Sequence, residues 1–317
     1  MSPPSGTCAN CSKPTHLQCA ACKDAPEHTP GDASRTFYCS RDCQKAHRPA
    51  HKDHCKTMLH RKKLLRTAII LKAAFLGYRE IEFDVELSKI EQRGRFLYLS
   101  DNQKNLNIPP KRGPFPEHLT TNPEHREAAL TWFQCLAACC LSSRLMKKLL
   151  AGIPCEIDLL ALQIGKRRFT TQVIPGPDSP NVPSLDATTT PHVVFRVNVR
   201  LSSGDGMWIV DLTGAQYSFK GVLFSYDQYM REKRCRLEDT DPCPLNETWD
   251  LDVVSTMMNS IQQDIMHAER PSRLHFADLV GIVGKEVLDG SPDEFKDKLV
   301  WFRTTLKLHM LSRYKHA

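Results

Sequence analysis

Eight side chains near the start of the chain have the types and intervals that hold a metal ion: Cys8-x2-Cys11, Cys19-x2-Cys22, Cys39-x3-Cys43 and His51-x3-Cys55. Two residues between cysteines let a tight turn aim both sulfurs at one ion, and three residues between ligands give the i, i+4 interval that shares one helix face. Eight ligands fill two tetrahedral zinc sites, and such filled sites are structural, because a catalytic zinc keeps one position open. A disulfide framework is the competing use of thirteen cysteines. The odd count and the first residues, MSPPSGTCAN, which carry no basic-then-apolar leader, argue against it. His16, His28, His47 and His54 compete as donors, and the register of the four pairs favours His51. So short a segment buries little core, so zinc is expected to supply its folding energy, on the order of 10 kcal/mol per ion.

The local strings Tyr38-Cys39-Ser40-x-x-Cys43-Gln44 and His51-Lys52-x-x-Cys55 resemble the MYND zinc finger, over residues 8 to 55. The resemblance implies cross-bracing: Cys8, Cys11, Cys39 and Cys43 on one Zn2+, and Cys19, Cys22, His51 and Cys55 on the second. It also implies a protein or peptide partner. Two features depart from the family. The stretch DAPEHTPGDASRT between the second and third pairs is long and is expected to loop out. Arg48 stands where many members carry a tryptophan that, with the residue matching Gln44, lines a groove for proline-rich peptides.

The elements around these ligands follow from periodicity and punctuation. Pro49 is expected to divide two short helices that carry the last two ligand pairs. Lys56 to Leu76 reads as one helix, and its run His60, Arg61, Lys62, Lys63 and Arg66 as a solvated face, with nuclear import or phosphate contact as the functional alternative. Alternation at Ile81, Phe83, Val85 and Leu87 predicts a strand that returns through Gly94 to Phe96–Leu99. A proline-rich connection, 108 to 123, leads to the helix start Asn122-Pro123-Glu124, and that helix should run to about Ala151 and stop at Gly152. Further on, Tyr226 to Arg236 predicts a helix, LEDTDPCPLNE an acidic loop, and Trp249 to Glu269 and Asp293 to Leu311 two amphipathic helices.

Between these lie "LLAGIPCEIDLLALQIG", a Pro/Ser/Thr-rich insert (175 to 191) and "HVVFRVNVRLSSGDGMWIVDLTGAQY". A helix, a Gly-Ile-Pro turn, a strand, a His-headed strand and a strand ending in Trp-x-x-Asp-x-Thr look like the transglutaminase-type, papain-like core, over roughly residues 125 to 217. The resemblance implies a nucleophile, base and orienting carboxylate at Cys135, His192 and Asp211, with Gln216 and Tyr217 shaping the same cleft. The family's glycine two residues before the nucleophile is Phe133 here. The helix expected from Pro123 puts Cys135 about three turns inside it, where the dipole has faded. In the apolar run WFQCLAACCL a thiol is then expected to pack as a small, inert hydrophobe. His192 as a strand-edge residue and Asp211-Leu212-Thr213-Gly214 as a turn have structural uses of their own.

The formal charge is +7 over 317 residues. Seven finger thiolates and two divalent ions lower it to about +4, which argues against nucleic acid as a partner. No window of about 18 uncharged apolar residues is present, so no membrane span is expected. Repeats, Gly-rich phosphate loops and nucleotide fingerprints are missing, and no Asn-His-Ser-Cys string supports a SET methyltransferase. The expectation is an intracellular protein, cytoplasmic or nuclear, with a two-zinc MYND finger at 1–57 and a basic helix, hairpin and Pro-rich connection at 58–122. An α+β core, a degenerate transglutaminase-like (papain-like) domain, is expected at 123–236, and an acidic loop with C-terminal helices at 237–317. The expected function is that of a zinc-binding adaptor that engages a protein partner. The alternative is a cysteine-dependent amidase, protease or acyl transferase with a Cys-His-Asp triad.

Overall fold

The computed structural model describes residues 6–104, 108, 110–179, 185–186, 190–200 and 206–315. Strands β1 (Gly6–Thr7) and β2 (Pro14–Thr15) pair in the finger and are followed by one helix, α1 (Arg41–Ile81). Ser40 caps it, its hydroxyl accepting from the Cys43 N–H at 3.2 Å. The division expected at Pro49 does not occur. Pro49 is exposed, so the carbonyl that it deprives of a partner faces water, and ligand pairs on either side hold the helix straight through it. The basic helix expected from Lys56 is thus the second half of α1, which crosses the 57/58 boundary without interruption.

The body continues with β3 (Leu87–Arg93) and β4 (Phe96–Asp101), α2 (Pro123–Thr131), α3 (Cys135–Leu150), β5 (Cys155–Gln163), β6 (Thr170–Pro175), β7 (Leu185–Asp186), β8 (His192–Val199) and β9 (Gly206–Val210). It ends with β10 (Leu223–Ser225), α4 (Tyr226–Glu232), β11 (Arg236–Pro242), α5 (Trp249–Val253), α6 (Ser260–His267), α7 (Arg270–Ile282) and α8 (Pro292–Ser312). An antiparallel sheet, β10-β9-β8-β5-β11, forms the centre, and β3-β4-β6-β7 form a second sheet in which β4 and β6 run parallel. Alternate residues of β8 separate two cores: Phe195, Val197 and Val199 pack with Leu71, Phe75, Leu145 and Leu306 from α1, α3 and α8, while Val194 packs with Leu160, Ile209, Tyr217 and Tyr229 on the opposite face. Residues 180–184 and 187–189 of the Pro/Ser/Thr-rich insert lie outside the described residues.

Four further expectations change. The hairpin through Gly94 (φ +58°) forms, but its first strand begins at Leu87, because α1 continues through the buried Tyr78 and Ile81. The helix expected from Trp249 to Glu269 is split, and Asn259, capping Gln262 reciprocally, starts α6 afresh. The acidic loop is in large part strand β11, recruited by the free edge of β5 (Leu237↔Leu162, Asp241↔Leu159); its exposed charges blunt that sheet edge. The helix expected from Pro123 to Ala151 is two, α2 and α3, meeting at 86°.

The run from His60 to Arg66 is not a free cationic face. Arg61 makes a bidentate pair with Asp32 (2.8 Å each) and lies 5.8 Å from the Trp208 ring centroid. Lys62 donates to Ala20 O at 2.7 Å, and Arg66 donates to Leu288 O at 2.6 Å while stacking on Phe295. His28, in the looped-out stretch, bonds through Nε2 to Met207 O at 2.9 Å and packs edge-on against Trp208. The finger loop is therefore fastened to the sheet. Deeper in the body, Glu269 accepts from Tyr78 (2.9 Å) and pairs with Arg273 (3.1 Å) and Arg112 (3.3 Å), tying α7 to α1.

Burial pushes the Asp32 carboxyl up, but the Arg61 guanidinium and the N–H groups of Thr29 and His28 outweigh it and hold the pKa low. A depressed carboxylate contributes stability above its unfolded pKa of about 3.9 and loses it as pH falls through the folded value. Arg61→Ala should cost about 1–2 kcal/mol at neutral pH by thermal unfolding. The difference from the unsubstituted chain should shrink as pH falls and Asp32 protonates, and hydrogen exchange should accelerate first in residues 24–36.

Candidate functional site

Two four-residue clusters form in the finger: Cys8, Cys11, Cys39 and Cys43 in one, Cys19, Cys22, His51 and Cys55 in the other. In each the donor atoms lie within 4.8 Å of one another. Sulfur separations of 3.4 Å (Cys11–Cys39), 3.5 Å (Cys39–Cys43), 3.7 Å (Cys11–Cys43) and 3.8 Å (Cys19–Cys55) approach the edge of about 3.8 Å of a tetrahedron with 2.3 Å Zn–S bonds. His51 presents Nε2 to Cys22 Sγ at 3.3 Å. Two of the four competing histidines are engaged elsewhere, His47 with the Tyr38 hydroxyl and His28 with the sheet, and neither His16 nor His54 joins a cluster. Thiols this close cannot all ionise against their mutual repulsion. Cys19 is lowered to about 4 by the hydrogen bond from Cys22, and Cys22 is pushed up by Cys19 and by burial. A divalent cation relieves that conflict, and the donor sets fit two structural Zn2+ ions.

Beside the second cluster, one face of α1 lines a groove of about 530 Å3 with Arg41, Gln44, Lys45, Arg48, Lys52 and Lys56. Its cations make no ion pair among the described residues. Where the family offers an aromatic wall, this finger offers charge.

In the body, the break after α2 determines where the second candidate site falls. Asn122 caps α2 by accepting from Glu124 N at 2.9 Å, and the helix ends at Thr131, whose hydroxyl turns back to Glu127 O. Phe133 takes a left-handed backbone (φ +56°), the region open to glycine, and its N–H donates to Gln216 Oε1 at 3.3 Å. The chain thus re-enters helix at Cys135, the first residue of α3, and not three turns inside a longer helix. The residue as a whole is partly exposed, and its sulfur lies 3.9 Å from Pro191 O. Cys139 and Cys140 are buried, and burial raises both thiols well above the ordinary value.

His192 opens β8, and its Nε2 meets Asp211 Oδ1 at 3.0 Å. Asp211, just past the end of β9, also accepts from Thr213 N (3.1 Å) and from the Tyr229 hydroxyl (2.8 Å), and the backbone of Gly214 comes so close that a Cβ there would lie 2.3 Å from Oδ2. Nδ1 is then the imidazole nitrogen that remains, with the Gln216 amide at 3.5 Å. Tyr217 packs edge-on against the ring. Burial pushes the Cys135 thiol up, but the hydrogen bond and charge of His192, helped by the backbone at Val193 and Leu136, bring it below the ordinary range. Burial pulls His192 down; Asp211 and Cys135 more than offset it and raise its pKa. Sequence patterning did not single out Tyr229, which belongs to this network although nothing in its spacing points to the carboxylate.

Residues 8–55 match the MYND finger family. No curated protein and no solved structure matches the chain, so the comparisons give the transglutaminase-type likeness of the body no support.

Cys55→Ser and Cys39→Ser should each reduce bound zinc from two equivalents to one, whereas His47→Ala should leave two, as counted by native mass spectrometry. Chelation should melt the finger and the first turns of α1 while the body keeps its helical signal.

Proposed function

We propose that the protein binds a protein partner through its MYND finger and transfers acyl groups from amides or esters of polypeptides at Cys135. The observation that carries the chemistry is the position of that thiol at the first residue of α3, beside the His192–Asp211 pair. A helix start favours the thiolate through its dipole and leaves its first N–H groups without intrahelical acceptors, suited to a developing oxyanion. The thiolate sulfur attacks the carbonyl carbon, the bond to the leaving amine breaks, and His192 gives that amine its proton. Water or an amine then attacks the thioester, His192 takes its proton, the carbon–sulfur bond breaks, and the thiolate beside a protonated His192 is regenerated. Asp211 holds the imidazole by one nitrogen throughout, so that the other faces the chemistry.

The finger's part rests on the general role of its family and on the open groove along α1. An adaptor role without chemistry, in which the body is a second binding surface, is favoured by one observation: Gln216 stands 3.5 Å from His192 Nδ1, where it competes with the thiol.

Site-resolved alkylation by iodoacetamide across a pH series separates the two. A lowered thiol keeps Cys135 reactive below the ordinary range of about 8.5 and lets the rate fall only as pH drops through the lowered value. In His192→Ala burial is opposed only by the backbone at Val193 and Leu136 and the thiol rises, so labelling at neutral pH should slow by about tenfold or more. Asp211→Asn should give an intermediate loss. A Cys135 that labels only after unfolding would remove the acyl-transfer proposal and leave the adaptor.

A further inference from the structure

The strand register gathers cations at the same end of the central sheet as His192. Leu162 of β5 pairs with His192, and Arg236 at the start of β11 pairs with Gln163. The chain leaving β5 (Lys166, Arg167, Arg168), the chain entering β11 (Lys233, Arg234) and the connection after β9, which carries both Asp211 and Lys220, therefore emerge together. The Lys166 N–H donates to Lys233 O at 2.8 Å, which ties the first two loops to each other. Gly165 lies so near the Arg234 backbone that a Cβ would stand 2.6 Å from its carbonyl oxygen, so only glycine permits this approach.

Two adjoining depressions, of about 410 and 500 Å3, share Lys166, Arg167 and Arg168. Among the described residues, Glu232 stands 3.9 Å from Lys233 and Glu124 3.9 Å from Arg168, both at the outer limit of ion pairing. The side chains of Lys166, Lys220 and Arg234 are exposed and make no ion pair among the described residues. The rim adjoins the candidate site through two ring contacts: Arg167 lies 5.2 Å from the Tyr217 centroid, and Tyr217 lies 5.2 Å from His192.

We infer that this rim binds an acidic polypeptide segment and presents it to the thiol, so that the substrates of Cys135 carry aspartate and glutamate beside the reacting bond. The substrate role rests on the acyl-transfer proposal above, whereas the binding does not. Like charges held together on separate loops gain when an anion sits among them. Alternate side chains of an extended peptide, about 7 Å apart on one face, span from one loop to the next. The polypeptide is favoured over nucleic acid because the lining rings Phe219 and Phe224 are already covered by the Lys233 ammonium at 4.5 and 5.6 Å, which withholds them from base stacking.

The test uses the full-length, zinc-loaded protein and a fluorescent glutamate-glycine peptide, read by anisotropy at low ionic strength. A lysine-glycine peptide and a single-stranded DNA oligonucleotide of matched charge serve for comparison. The glutamate peptide should bind, should weaken about tenfold or more in the triple charge reversal Lys166→Glu, Arg168→Glu, Lys220→Glu, and should slow alkylation of Cys135. Equal binding to the triple variant would move the ligand to another surface, such as the finger groove, and overturn the inference. Preference for DNA would overturn it in favour of a nucleic-acid surface. Charge-dependent peptide binding beside an inert Cys135 would support the rim while overturning the acyl-transfer proposal, so the two fail separately.

Discussion

The helix α1 imposes one axis on two structures with different sources of stability. Its first half carries Cys43, His51 and Cys55 and is mostly polar and exposed, so metal ligation rather than packing holds it. Its second half carries Leu64, Leu71, Phe75 and Tyr78, which are buried in the main core. Helix propagation is cheap once a segment is nucleated, so a core-anchored second half favours the first half even before zinc closes it. The contacts of Arg61 with Asp32 and of His28 with the sheet add a second attachment away from the axis. With two attachments the finger cannot swivel as a tethered module does. Its groove keeps a fixed bearing on the body.

The second dependency runs through a break. Had the apolar run around residue 135 continued the helix from Pro123, the thiol would have been one more small core residue. Phe133 in a left-handed conformation and the Gln216 amide that receives its N–H turn the chain through a right angle instead. The strain at a bulky residue with positive φ is sustained because neighbouring elements fix it on both sides, and such over-determined strain gathers where a side chain must be aimed.

What could be read from the chain follows the range of the forces involved. The zinc ligands were legible because turn and helix spacings are local, as were the Asn122 cap, the stop at Gly152 and the amphipathic α8. The placement of His192 and Asp211 at strand ends was legible for the same reason. The break before Cys135 was not, since its determinant, Gln216, lies 83 residues away. β11 reads as a polar loop and becomes a strand only because β5 has an unpaired edge. The basic run on α1 reads as a solvated face and instead meets Asp32, Leu288 and Phe295, partners that only the folded chain supplies. Glu269, placed at the end of a helix by periodicity, gave no sign that it would be buried in one ionic network with Arg273.

An uninterrupted helix also has a phase. Each residue added between Cys55 and Leu64 would rotate everything upstream by about 100° and advance it by about 1.5 Å. After a single insertion the looped-out stretch would face solvent, His28 would miss Met207, and the groove would point elsewhere. Near-whole-turn insertions come closest to restoring the orientation, and even they displace the finger by a turn's height. Homologous chains that keep this architecture should therefore hold the spacing between their last zinc ligand and the residue matching Leu64 constant.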